Sequence, residues 1–197
     1  MTNHQYSKTE KYRRAKERLQ KYFESEIPMY ILSDLKSLEN IQCDENNKGL
    51  GLCAIPQAMF LFSIVNLFGY LMKESEKQQT REAFQYIFDV QCNLFPEIYF
   101  LNWEALLKLY RDGLMHQVFP KGCGISKGKV IALLLKKDEK GRIVNLNVNV
   151  FTRDLKSAIE KIKIRITSEE CIDLAIRMNE RLDKLADYDF RKQSRFS

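Results

Sequence analysis

Histidine is nearly absent from this 197-residue chain: His4 lies in a polar N-terminal tail, and His116 stands alone beside an apolar segment. The five cysteines (Cys43, Cys53, Cys92, Cys123 and Cys171) form no C-x-x-C pair and no metal-finger spacing. With so few imidazole and paired thiol ligands, no structural zinc and no other metal is expected. An odd, scattered set of thiols fits a reducing, cytoplasmic setting, where they serve as small core residues. A phosphate-cradling loop is missing as well, because Gly122 to Lys129 matches G-x-x-x-x-G-K-[ST] only in part and lacks the final hydroxyl residue. No cofactor is expected. There is no internal repeat, and the polar, charged N-terminus does not have the pattern of a secretory signal.

What is present is an ordinary globular mixture, 45% hydrophobic and 29% charged. One stretch has no charge at all, from Gly49 to Met72. Its length would span a bilayer. Pro56, Gln57, Ser63, Asn66 and its glycines argue instead for a central helix buried on most sides, as does the lack of a second such segment. No membrane association is expected.

Apolar spacing predicts an amphipathic helix over 8–25, with Tyr12, Ala15, Leu19, Tyr22 and Phe23 inward. Ile27-Pro28 should break it, and a second helix should run from Met29 to Ile41. After a polar loop comes the buried helix, from about Pro56 to Met72, followed by a helix from Thr80 to about Cys92. Phe95-Pro96 ends that one. Asn102 is a plausible N-cap for the next, on which Trp103, Leu106, Leu107, Tyr110 and Leu114 recur at helical spacing. Beyond Pro120 the pattern changes. Val130 to Leu135 is a short apolar run, and Arg142 to Val150 alternates strictly, so Asp138-Glu139-Lys140-Gly141 should turn a β-hairpin. Asn145, Asn147 and Asn149 would then form one wet face. Thr152 or Asp154 should cap a short helix to Lys163, and Thr167-Ser168-Glu169-Glu170 a last one. The expected fold is mainly α. Residues 1–120 should form an antiparallel helical bundle, and residues 121–197 a β-hairpin and two helices packed on it.

The segment Tyr110-Arg111-Asp112-Gly113-Leu114-Met115-His116 carries the functional signal. Asp112 and His116 are i,i+4, so in a regular helix the carboxylate can hold one ring nitrogen. Arg111 and His116 are i,i+5, about 140° apart around a straight helix. Gly113 permits local unwinding, the arginine arm can curl round, and a two-fold axis would also bring two copies of the motif face to face. As a bare pattern the segment also fits a solvated helix end with a C-terminal cation.

Arg-Asp-x-x-x-His near the end of an apolar helix resembles the signature of the HEPN superfamily, small helical domains of which many are metal-independent ribonucleases. The resemblance rests on Arg111, Asp112 and His116, within a general helical context over roughly the first 120 residues. It implies His116 as general acid or base, Arg111 as the stabiliser of charge on the phosphorane and Asp112 as the group that orients His116. It also implies a homodimer with both motifs lining one groove, and a role as a toxin or in defence, with an antitoxin or other protein partner. The alternative within the same resemblance is a non-catalytic helical module that binds RNA, a nucleotide or a protein.

Charge placement supports an RNA partner. Residues 8–21 carry seven basic side chains against two acidic ones, and residues 121–142 carry seven against two. Lys108, Tyr110, Lys121, Lys127 and Lys129 are the candidate RNA contacts, although Tyr110 lies on the apolar stripe and solvated faces account for many such basic runs.

Overall fold

The computed structural model describes residues 7–41, 54–75, 77, 79–117, 123–127 and 135–193, excluding the side chains of 115–117, 144, 169 and 187–193. The fold is mainly α with a small three-stranded sheet. Helix α1 (Lys8–Lys21) starts at Ser7, whose Oγ accepts from the Glu10 N–H at 3.2 Å. The break expected at Ile27-Pro28 does not occur. The helix continues through a π-helical stretch (Tyr22–Leu32) into α2 (Ser33–Asn40), and the Ser33 N–H donates to the Pro28 carbonyl five residues back. Widening the ladder from i→i+4 to i→i+5 accommodates the N–H that proline lacks.

Helix α3 (Ala54–Met72) is the buried centre. Among the described residues it alone is long and apolar enough to cross a membrane, and it is mostly covered by the rest of the fold. Phe62 is its hub: the ring stacks on Phe84 of α4 (Thr80–Phe88) at 6.0 Å and meets Tyr110 at 6.4 Å and Phe151 at 5.2 Å. Each such pair contributes roughly 0.5–1.5 kcal/mol beyond burial of its area. Gly69 lets α3 and α4 touch, since a Cβ there would lie 2.3 Å from the Ala83 carbonyl oxygen.

After a 3₁₀ turn (Val90–Cys92), α5 (Glu97–Ala105) begins directly behind Pro96. Asn102 is therefore inside α5 and does not cap it: its amide donates to the Ile98 carbonyl at 2.7 Å. A second π-helical stretch (Leu106–Arg111) leads into α6 (Asp112–Gln117).

The hairpin is present, formed by β2 (Leu135–Lys137) and β3 (Ile143–Asn147), and residues 131–134 of its expected first strand lie outside the described residues. Gly141 takes φ +74° in the turn, and Asp138 accepts from Arg142 Nε at 2.7 Å. Two features differ from the sequence pattern. A further strand, β1 (Gly124–Ser126), pairs parallel to β3, giving the order β1-β3-β2. The alternating run also stops early: Asn147 Oδ1 accepts from the N–H groups of Asn149 and Val150 and caps α7 (Val148–Thr167). The asparagines therefore serve the interior, not a wet face, with Asn145 donating to Ser126 at 2.7 Å and Asn149 to the Lys127 carbonyl at 3.1 Å. Thr152 and Asp154 lie within α7, where Asp154 accepts from the Tyr99 hydroxyl at 3.1 Å. Burial, and then the Asp154 charge, pushes the Tyr99 phenol well above its ordinary pKa.

Ser168 caps a short 3₁₀ turn (Glu169–Cys171) that leads into α8 (Ile172–Gln193). The side of α8 facing α3 includes a buried arginine. Arg181 donates to the carbonyls of Tyr70, Lys73, Glu74 and Ser75, closing the C-terminal end of α3. Beside it, the buried Lys73 ammonium pairs with Glu82 at 2.7 Å.

Two outcomes follow. Arg181→Met should lower stability by about 3 kcal/mol in chemical denaturation, since several carbonyls lose a charged donor, and Arg181→Lys should recover only part of this because ammonium lacks the planar fork. The Lys73 contact lowers the Glu82 pKa from its ordinary 4.5. Its stabilisation is thus complete above about pH 4.5 and fades as pH falls through the lower folded value. Acid titration of stability should therefore be shallower in Glu82→Gln over that window.

Candidate functional site

The motif lies where the second π-helical stretch returns to regular helix. The Asp112 N–H donates to the Leu107 carbonyl, five residues back, so the irregularity falls just before the motif. Gly113 itself is helical and buried, and the unwinding anticipated there is absent. Leu106, Tyr110 and Leu114 face the core, and this inward stripe fixes which way the intervening residues point.

Arg111 and Asp112 are brought together. Arg111 Nη1 donates to Asp112 Oδ1 at 2.9 Å, and the two side chains are 23% and 33% exposed, so the pair is screened but still reachable from solvent. Arg111 Nη2 also lies 3.4 Å from Thr80 Oγ1, at the start of α4. The carboxylate that spacing assigned to His116 thus receives a bond from its neighbouring cation. His116 is on α6, one turn after Asp112, and its side chain lies outside the described residues.

Thr80 connects this pair to a cleft. A cavity of about 300 Å³ runs between α3 and α4, lined by Asn66, Leu67 and Tyr70 on one wall and by Gln79 and Thr80 on the other, with Leu185 of α8 beside them. The sequence reading did not single out Asn66, Gln79 or Leu185 as a cleft. A signal was present for Asn66, a polar residue in the middle of a charge-free helix.

The candidate RNA contacts separate. Lys108 is exposed on the groove along α5. Tyr110 is fully buried against Phe62, and burial, with Cys123 nearby, raises its phenol pKa. Its place in the expected RNA-contacting set is therefore corrected to a core residue. Lys127 is also engaged within the fold: its ammonium donates to the carbonyls of Leu38, Glu39 and Ile41 at the end of α2. Lys121 and Lys129 lie outside the described residues. The N-terminal basic block is partly paired too, with Lys8 on Asp173 at 2.9 Å, Arg14 on Glu10 at 3.4 Å and Arg18 on Asp183. Among the described residues no group of three or more His, Cys, Asp or Glu side chains is arranged to hold a metal ion.

Compared with protein-family models, curated proteins and solved structures, the chain has no match.

Tyr110→Phe, which keeps the ring in place, should leave the circular-dichroism spectrum and the cooperativity of unfolding unchanged. Tyr110→Ala should lower folding stability by roughly 3–5 kcal/mol, the range for emptying an aromatic core site.

Proposed function

We propose that the chain is a metal-independent endoribonuclease of the HEPN type. The observation that carries this reading is the Arg111–Asp112 pair, joined at 2.9 Å and partly exposed beside Thr80 at the rim of an uncharged cleft, one helical turn before the only histidine outside the N-terminal tail. RNA supplies its own nucleophile. His116 takes the proton from the 2′-hydroxyl, the 2′-oxygen bonds to phosphorus, and the bond to the 5′-oxygen breaks. Charge on the phosphorane is stabilised by the Arg111 guanidinium, whose planar fork suits phosphate oxygens. The departing 5′-oxygen needs a proton, and a second copy of the motif across a two-fold axis supplies it from the protonated form of its own imidazole. Products are a 2′,3′-cyclic phosphate and a 5′-hydroxyl. DNA lacks the hydroxyl and survives.

A second reading, a non-catalytic module of the same type that binds a protein, has its own support. Helix α5 exposes Ile98, Phe100 and Leu101 beside a groove of about 570 Å³, and such a face is suited to a partner surface.

The two readings separate on one gel. With a chelator present, the wild-type protein should cut RNA and leave cyclic-phosphate ends. His116→Ala should lower the rate by about 10²–10⁴-fold, and Arg111→Ala by about 10²–10³-fold, with melting temperatures close to that of the wild type. RNA left intact by the wild type, or cut equally by the wild type and the His116 variant, rejects the enzyme.

A further inference from the structure

The cleft between α3 and α4 has a composition that the cleavage chemistry alone does not call for. The geometry points to this cleft as a seat for a single nucleobase, adenine by its hydrogen-bonding edge, next to the phosphate position at Arg111. The assignment of that phosphate position rests on the ribonuclease reading. The base seat rests on the cleft itself.

Size comes first. At about 300 Å³ the cavity lies at the small end of ligand sites, enough for a planar heterocycle and too small for a folded peptide. Charge comes second. No lysine, arginine, aspartate or glutamate lines it among the described residues, so it is built for a neutral group and not for an anion. A fixed cation stands at its rim: Arg111 is held 3.4 Å from Thr80 Oγ1, and Thr80 is itself part of the cleft wall. A neutral pocket with a guanidinium at its edge matches the division of a nucleotide into base and phosphate.

The polar groups select among bases. Asn66 on α3 and Gln79 at the start of α4 place a primary amide on each wall, and neither side chain has a hydrogen-bond partner among the described residues. A primary amide offers an acceptor and a donor side by side, which pairs with the N6–H and N7 of adenine. The second N6–H with N1 presents the same pattern to a second amide, whereas cytosine and uracil can satisfy only one amide in this way. Leu67, Tyr70 and Leu185 supply apolar surface for the faces of the ring, and single-stranded bases are commonly held by stacking on such surfaces. Tyr70 is fixed in place, since the Arg181 guanidinium lies 5.2 Å from its ring centroid and donates to its carbonyl. That wall is therefore held before a ligand arrives, which lowers the ordering cost of binding.

Titration of the full chain with adenosine 3′-monophosphate, followed by protein fluorescence, tests the seat without requiring activity. Saturable binding is expected, about tenfold tighter than for the cytidine and uridine monophosphates, which is the effect of one good amide–base pair. Asn66→Leu should remove that preference, and Gln79→Leu, at an exposed position, provides a second variant if the first does not fold. Equal affinity for the bases, or selectivity unchanged in the folded variants, overturns the seat whether or not RNA is cut. Selective binding without RNA cleavage upholds the seat and rejects the ribonuclease reading. The dinucleotide of 2′-deoxyadenosine and uridine, which cannot be cleaved, tells an RNA ligand from a free nucleotide. Tighter binding than the monophosphate, lost in Arg111→Ala, is expected for RNA, and no gain with either protein overturns the link to Arg111.

Discussion

A charge-free helix through the middle of a protein cannot end in the interior without donors for its last carbonyls. At the C-terminal end of α3 those donors come from Arg181, 2% exposed, whose fork reaches the carbonyls of Tyr70, Lys73, Glu74 and Ser75. Burying a guanidinium is costly, and four carbonyl oxygens, that of Tyr70 in the last turn of α3 and three just beyond its end, offset much of that cost. The same contact docks α8 on the bundle and holds Tyr70, so the wall of the cleft depends on a residue outside it. The device recurs at other helix ends. Lys127 closes α2, while Lys161 and Arg165 close the segment after α4 through the carbonyls of Cys92, Asn93 and Leu94.

That recurrence explains why charge placement was an incomplete guide. Counted along the chain, Lys127 and its neighbours looked like a surface for a polyanion. In the fold, Lys127 is used to satisfy backbone, and much of the α1 block is paired with acids on the same helix or on α8. Whether a lysine faces solvent or a carbonyl is decided by tertiary contacts roughly 90 residues away in sequence, which local composition cannot register.

Features governed by local periodicity were legible. The uncharged run became the central helix, the stripe Leu106-Tyr110-Leu114 turned inward, and the Asp138–Gly141 turn joined two strands. Boundaries were read poorly where two local signals competed. Pro28 suggested a break but lies in a wide turn. The alternation up to Val150 suggested strand, yet the capping oxygen of Asn147 ends it and starts a helix. Strand β1 was missed because three residues give too short a pattern, and its pairing is with a strand about twenty residues on. Of the candidate site, the Arg111–Asp112 pair was visible as a motif, whereas the cleft beside it was not. A cleft is a relation between helices, and the walls of this one come from α3, the start of α4 and α8, which are far apart in sequence.

The wide turn ahead of Arg111 also fixes the angular phase of α6. Each residue advances a regular helix by about 100°, so a ladder that takes in one additional residue offsets everything beyond it by about that angle. Excising one residue between Leu106 and Arg111 would let the segment relax into an uninterrupted helix of nearly the same length. Asp112 and His116 would keep their direction, whereas drawing all of the present residues into an i→i+4 ladder would swing them roughly a quarter-turn around the axis and leave the motif's spelling intact. The motif's orientation is therefore encoded upstream of the motif itself.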